Sequence, residues 1–251
     1  MSEPQRAYKT RAFVLRARNL GEADKIFTLF TQARGKVAAV AKGVRRVKSH
    51  FTGRLEFMSE VQLSMHRGRN LDVITGADIV SEHWSRLTDP AAFTTAHVLA
   101  ELVDAFCEVD LPVPEIYGLL QGAVGAVAAA DDPAGLLPRF ELRLLAALGY
   151  APEAEVCARC GAPLESAAWA DVEAGGLACA ACRPHRADAL GLEAEDVANF
   201  RALGAARGGA RRAATEATGP AARAVDAFLT YHLGKRPSAS KLLDDLATVR
   251  V

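Results

Sequence analysis

Residues 8–80 carry the alternation of apolar and polar side chains that is typical of β-strands. In the first segment Phe13 and Leu15 fall on one face, and Arg16 and Arg18 fall on the other. The predicted strands cover residues 11–18, 25–31, 36–42, 57–65 and 70–77. Five short strands in so small a segment favour a closed barrel of the oligonucleotide-binding (OB) type, although alternation alone does not give the strand order.

From residue 88 onward the apolar residues recur every three to four positions, which is the period of amphipathic helices. The predicted helices are one that contains residues 99–106, one that Pro114 opens, one over about residues 135–148, one that begins near residue 193 and one over residues 220–233. Gly149 and Gly234 are predicted to end two of them. Residues 204–219 are rich in Ala, Gly and Arg without periodicity, and we interpret them as a loop or a weak helix. The apolar stripes are interpreted as core.

Four of the five cysteines form two CxxC pairs, Cys157 with Cys160 and Cys179 with Cys182, and eighteen residues separate the pairs. Each CxxC turn aims two thiolates at one point about 2.3 Å from a metal ion, so this spacing predicts one structural zinc ion bound by all four. His185 is close enough in sequence to replace one ligand. The alternatives are two disulfides, which cytosolic proteins rarely keep, or a redox CxxC, which requires a βαβ pattern that is missing here.

These patterns together predict an α+β, multidomain chain. Residues 1–80 are expected to form the OB barrel, residues 81–156 and 190–251 a helical domain, and residues 157–189 a zinc module inserted in that domain. No apolar run reaches the roughly 18 residues of a membrane span, and the N-terminal residues lack the apolar core of a signal peptide. We therefore expect a cytoplasmic protein with no membrane partner.

Charge is divided unevenly along the chain. The formal net charge is zero, but it is +8 over residues 1–80, −9 over residues 81–156 and +1 over residues 157–251. A basic barrel offers cations to a nucleic-acid backbone, so we expect DNA binding with little sequence preference. The cations for which we expect phosphate contact are Arg16, Arg18, Lys36, Lys42, Arg45, Arg46, Lys48 and Arg69.

Several catalytic motifs are missing from the sequence. There is no GxxxxGK[ST] loop of P-loop NTPases, no HxE of zinc deaminases, no HExxH and no GxSxG. We therefore expect no enzymatic activity. A zinc-containing nucleic-acid enzyme or a transcription regulator is the alternative that these residues leave open.

Several stretches, in the same order along nearly the whole chain, resemble the RecO family of recombination mediators. They are residues 35–49 (GKVAAVAKGVRRVKS), 140–150 (FELRLLAALGY) followed by Cys157 and Cys160, and 231–237 (YHLGKRP). Residues 204–219 depart from the family pattern by being richer in Gly and Arg.

The resemblance implies an OB barrel, a helical domain and, in many members, a four-cysteine zinc module. It implies a protein without turnover chemistry that binds single- and double-stranded DNA and anneals complementary strands. With RecR, such a protein loads RecA onto DNA coated by single-strand-binding protein, which suggests a location at the nucleoid. Many members bind the acidic tail of that coating protein through the helical domain, and Arg139 and Arg143 are the positions carried over for this contact.

Overall fold

A computed structural model of the chain describes residues 7–186, 189–205 and 219–249. Its first five strands are β1 (Ala7–Leu20), β2 (Asp24–Thr31), β3 (Gly35–Ala41), β4 (Glu60–His66) and β5 (Asp72–Ser81). They form a closed barrel in the order β1-β2-β3-β5-β4, in which β4 pairs back to β1. All neighbouring strands are antiparallel except β3 and β5, which are parallel. The predicted five-stranded barrel is confirmed, with β4 starting three residues later than expected.

Two helices follow the barrel, α1 (Pro90–Phe106) and α2 (Pro114–Val127). The Asp89 carboxylate accepts a hydrogen bond from the Ala92 N–H at 2.9 Å and so caps α1, while prolines open both helices as their fixed φ favours. Tyr117 of α2 donates to the buried carboxylate of Glu60 in β4 at 3.0 Å. This contact fixes α2 against the barrel wall, because a buried carboxylate needs donors.

The centre of β1 is buried on both faces. Ala12 and Val14 belong to the barrel core, whereas the ring of Phe13 lies 5.3 Å from the ring of Tyr117 in α2. The apolar face that contains Phe13 is therefore the outer face, which is covered by a helix. An irregularity in the β1–β2 register between Val14 and Arg16 follows this buried stretch.

A partly buried network joins β1, β5 and the β2–β3 turn. The Arg34 guanidinium donates to Asp72 at 2.6 Å and to the Tyr8 hydroxyl oxygen at 2.8 Å, and it also pairs with Asp110. Burial alone would raise the pKa of Asp72, but hydrogen bonds from Tyr8, the Gly68 N–H and Arg34 outweigh burial and hold that pKa below its usual range. The network therefore ties distant segments of the chain together.

The second half of the chain contains three short strands and four α-helices among its described residues. These are α3 (Leu137–Ala147), β6 (Ala168–Asp171), β7 (Gly176–Ala178), β8 (Gly191–Leu192), α4 (Ala194–Gly204), α5 (Pro220–Leu233) and α6 (Ser238–Val249). Helices α3, α4 and α5 pack on one another, and the rings of Phe200 and Phe228 lie 6.0 Å apart in their shared core. Gly149 and Gly234 follow the ends of α3 and α5, as predicted.

The contacts divide the chain into two compact units, Met1–Ala128 and Ala129–Val251. By this division α1 and α2 belong with the barrel, so the first unit extends beyond residue 80. The three-part domain organisation stays a prediction. The predicted loop or weak helix at residues 204–219 lies almost entirely outside the described residues. No helix in the described part of the chain has the length and apolar character needed to cross a membrane.

Candidate metal centre and nucleic-acid surface

The four paired cysteines converge on one point. The Sγ atoms of Cys157, Cys160, Cys179 and Cys182 all lie within 4.8 Å of one another, and those of Cys160 and Cys179 are 3.8 Å apart. All five cysteines of the chain are free thiols, so neither pair forms a disulfide. His185 contributes no ligand atom to the cluster. The chain therefore brings four sulfur ligands to a position where they can hold one metal ion.

The first pair lies on a tight turn. The Cys157 N–H donates to the Ala162 carbonyl at 2.7 Å, and the Gly161 N–H donates back to the Cys157 carbonyl at 2.8 Å. Gly161 has a φ of +74°, which favours glycine because a Cβ atom would be strained there. This glycine lets the chain reverse directly after Cys160.

The second pair follows a hairpin. Strands β6 and β7 are antiparallel, with Asp171 opposite Gly176, and Gly175 in the turn has a φ of +73°. The hairpin places Cys179 at the end of β7, where its N–H donates to the Cys157 sulfur at 3.3 Å. The turn between β6 and β7 thus brings the second cysteine pair back towards the first.

The geometry and electrostatics of the cluster suit zinc. A tetrahedron with metal–sulfur bonds of about 2.3 Å has edges of about 3.8 Å, which matches the Cys160–Cys179 separation. Burial alone would raise the pKa of Cys157, but backbone N–H groups of Cys179, Cys160 and Arg159 outweigh it and lower that pKa to about 6. The neighbouring sulfurs raise the pKa of Cys182. A divalent cation at the centre of the cluster would offset the repulsion between the negatively charged thiolates.

The cysteine segment is fastened to the helices of its own unit. Arg201 of α4 donates to the carbonyl of Ala154 at 2.7 Å and to that of Leu164 at 2.8 Å. Strand β8 pairs with β6 and leads into α4 within two residues. Arg159, between the first two cysteines, forms an ion pair with the buried Asp171. Disorder of the cysteine cluster would therefore remove contacts that hold α4 in place.

The predicted DNA contacts fall into three groups. Lys42, Arg45, Arg46 and Lys48 are exposed on one loop, residues 42–48, which we call the basic loop. The Arg45 N–H and guanidinium donate to the carbonyls of Ala23 and Gly21 in the β1–β2 turn, so this loop lies beside that turn. Arg18 is exposed on β1 near the same turn. The structure thus brings five of the eight cations to one end of the barrel.

The other three cations lie elsewhere. Arg16 and Lys36 both pair with the carboxylate of Asp104 in α1, each at 3.2 Å, and only 17% of the Lys36 side chain is exposed. Arg69 is exposed in the β4–β5 turn. Lys25 was not among the predicted contacts. It lies at the start of β2 opposite Ala41, the residue that directly precedes the basic loop, so the pairing of β2 with β3 places Lys25 beside that loop.

The two arginines predicted to contact a partner lie on α3. The Arg139 guanidinium donates to the carbonyls of Ala202, Leu203 and Ala205, the last at 2.8 Å, and so caps the end of α4. Burial, together with the nearby charge of Arg143, lowers the pKa of Arg139. Arg143 is half-buried. A partner contact at these positions stays a prediction, and the cap gives Arg139 a structural role as well.

Comparison with known proteins covers both halves of the chain. Residues 2–83 match the family model for the N-terminal part of recombination protein O, and residues 87–241 match the model for its C-terminal part. A DNA repair protein RecO from Thermobifida fusca is 37% identical over 245 residues, which are 94% of this chain and 98% of the relative. Proteins of the same name from Bifidobacterium adolescentis and a Nocardioides species are 41% and 42% identical over 74% and 70% of this chain, and over 78% and 74% of the relatives. The chain belongs to the RecO family of DNA repair proteins.

Proposed function

We propose that this protein is a non-enzymatic recombination mediator. It binds single- and double-stranded DNA through its barrel, anneals complementary strands and, with RecR, helps to load RecA onto DNA coated by single-strand-binding protein. The observation that carries the proposal is the exposed basic loop beside the β1–β2 turn of an OB-type barrel, in a chain of the RecO family. A protein with this role works at the nucleoid, where its DNA substrate lies.

The charges of the basic loop are available for phosphates. Among the residues that the structure describes, none of Lys42, Arg45, Arg46 and Lys48 lies within 4.0 Å of a carboxylate. The Arg45 guanidinium donates one hydrogen bond to the Gly21 carbonyl, which is neutral and therefore leaves the charge of Arg45 uncompensated. Cations without a counter-charge in the protein contribute most to DNA affinity, because each one that neutralises a phosphate releases condensed counterions from the DNA.

Removing three of these cations tests the surface. The variant Arg45→Ala/Arg46→Ala/Lys48→Ala is expected to bind single-stranded DNA at least about tenfold more weakly at low salt, with a slope of log affinity against log salt that is smaller by about 2. Anisotropy titrations of a labelled oligonucleotide across a salt series measure both quantities. The control Arg223→Ala/Lys235→Ala/Lys241→Ala removes the same charge from exposed positions in the second unit. An unchanged affinity and slope in the first variant would remove the basic loop from the proposal.

Annealing tests the mediator role. The protein is expected to speed the pairing of complementary strands without nucleotide, both when the strands are bare and when single-strand-binding protein coats them. We propose Arg143 as a contact for the acidic tail of that coating protein, since a local cation in an acidic segment attracts an anionic peptide. Arg143→Ala should therefore keep annealing of bare strands and lose it on coated strands. If the unaltered protein binds DNA but fails to anneal coated strands, the mediator role is wrong.

We also propose that the four thiolates hold one structural zinc ion. Four protein ligands close the coordination sphere, so no position is left for a water or a substrate, as a catalytic zinc would need. This closed ligand set supports a mediator over a zinc-dependent nucleic-acid enzyme. Incubation of labelled DNA with the zinc-loaded protein and divalent metal should leave the DNA uncut and unmodified.

A further inference from the structure

A cleft of the first unit lies between β1 and α1 and has a volume of about 380 Å³. Three rings line one side of it. Phe57 and His97 are stacked, with centroids 4.1 Å apart and planes 14° from parallel. Phe93 packs edge-on against the His97 ring, with the two ring centroids 4.6 Å apart. The Phe93 residue is 46% exposed. An aromatic ring held at the mouth of a cleft by two other rings is a pre-ordered stacking surface.

This cleft continues into the neighbourhood of the basic loop. A smaller cleft of about 260 Å³ lies beside that loop and is lined by Arg45, Arg46 and Phe51. Lys25, Leu55 and Glu56 line both clefts, so the two clefts adjoin each other along these residues. A path lined by cations thus leads from the basic loop over Lys25 to the aromatic rings.

The acidic groups of the larger cleft favour one part of a nucleotide over another. Glu56, Glu101 and Asp104 line it, and Asp104 is already paired with Arg16 and Lys36. Carboxylates repel a phosphate, but they accept hydrogen bonds from the amino groups of bases. Burial lowers the pKa of His97 against the opposing effect of Glu101, which favours the neutral ring over the imidazolium cation that would attract a phosphate. The cleft therefore suits a base, and the cation path suits the backbone.

We infer that the cleft bounded by Phe57, Phe93 and His97 takes one unpaired nucleobase of a DNA strand whose phosphates follow Lys25 and the basic loop. Phe93 supplies the stacking face. The inference rests on the proposed DNA binding and adds a means of distinguishing single strands from duplex, because a paired base cannot leave its stack without cost. An apolar side chain of a partner protein is the competing occupant, and the continuity with the cation path favours the base.

Two substitutions at Phe93 test this inference. Phe93→Ala removes the ring, whereas Phe93→Leu keeps an apolar side chain but removes the π face. Both variants are expected to bind a labelled single strand about tenfold more weakly, and to bind a duplex of the same length within about twofold of the unaltered protein. Trp84→Ala is the matched control, because Trp84 is also about half exposed (48%) and does not line the cleft; its affinities should not change.

Each other outcome has a definite meaning. If the unaltered protein binds no DNA, the proposed function fails; if it binds DNA and both Phe93 variants bind single strands equally well, only this inference fails. Equal losses for single strands and duplex would overturn it by showing a general structural effect. Loss of binding to a partner protein, with single-strand affinity kept, would assign the cleft to a peptide and overturn it too.

A measurement on the unaltered protein covers the case in which the variants do not fold. An oligonucleotide that carries 5-iodouracil at successive positions is irradiated in the complex, and the cross-linked peptides are identified by mass spectrometry. Cross-links at Phe57, Phe93 or His97 are expected. Cross-links confined to other parts of the chain would overturn the inference.

Discussion

Cys157→Ser and Cys160→Ser are each expected to lose the proposed zinc ion and to unfold much of the second unit at temperatures where the unaltered protein is stable. Structural zinc contributes about 10–16 kcal/mol of apparent binding free energy at pH 7, which is comparable with the whole stability of a typical domain, about 5–15 kcal/mol. Cys157 should be the more sensitive position, because its side chain is buried and accepts the Cys179 N–H.

The reason for so large an effect is the way the cysteine segment is attached. Arg201 binds two carbonyls of that segment, and β8 passes from its sheet directly into α4. When the ligands no longer hold the two turns together, these hydrogen bonds lose their fixed acceptors and α4 loses its support. The unfolding should therefore spread beyond the cysteines.

Elemental analysis for zinc, combined with scanning calorimetry, measures this prediction. One zinc per chain is expected for the unaltered protein, with none and a melting temperature at least about 10 °C lower for the serine variants. Cys107→Ala is the control, since Cys107 is a buried thiol at the end of α1, outside the cluster, and its loss should leave the zinc content unchanged. A variant that has lost its metal but keeps its melting temperature would contradict a structural role.

Features that depend on short stretches of sequence could be predicted. The number of barrel strands follows from alternation within each segment, and the cysteine cluster follows from two CxxC turns. The glycines at positions 161 and 175 set the local backbone that aims those turns, and each acts over only a few residues. Local geometry is encoded locally, so these predictions needed no knowledge of the tertiary fold.

Features that depend on distant contacts could not be predicted. Lys36 appears in the sequence as one more cation of a basic segment, but its partner Asp104 lies on a helix beyond the barrel. Arg139 appears as an exposed arginine on a helix, yet it caps α4. The rings of Phe57 and His97 come from a barrel loop and from α1. In each case the partner is fixed by packing between elements that no periodicity connects.

Glu141→Gln is expected to remove a large pH dependence from the stability of the second unit. Glu141 lies on α3 among the buried residues of its unit and is 6% exposed. Burial, reinforced by the charge of Asp226 and opposed by Arg236, raises the pKa of its carboxyl group from about 4.5 to about 8. At neutral pH the folded protein therefore keeps this carboxyl group protonated, whereas the unfolded chain ionises it.

The sign of the effect follows from proton binding. Between pH 4.5 and 8 the folded state binds more protons than the unfolded state. The stability that the protonated Glu141 carboxyl group contributes is therefore complete below pH 4.5 and is lost as the pH rises towards 8. The loss between pH 5 and pH 8 is expected to be on the order of 3 kcal/mol. Glutamine has nearly the same shape and stays neutral, so the variant avoids this loss and should be the more stable protein at pH 8.

Urea unfolding of both proteins at pH 5, 6, 7 and 8 measures this prediction. Zinc binding also changes with pH, because thiolates take up protons in acid, but it changes equally in both proteins. The difference in free energy of unfolding between the two proteins therefore reports on Glu141 alone. This difference should increase in favour of the variant as the pH is raised from 5 to 8. Glu165→Gln, at an exposed position of the same unit, should follow the unaltered protein. Parallel curves for Glu141→Gln and the unaltered protein would mean that the buried carboxyl group is ionised in the folded state, with Arg236 as the group that compensates its charge.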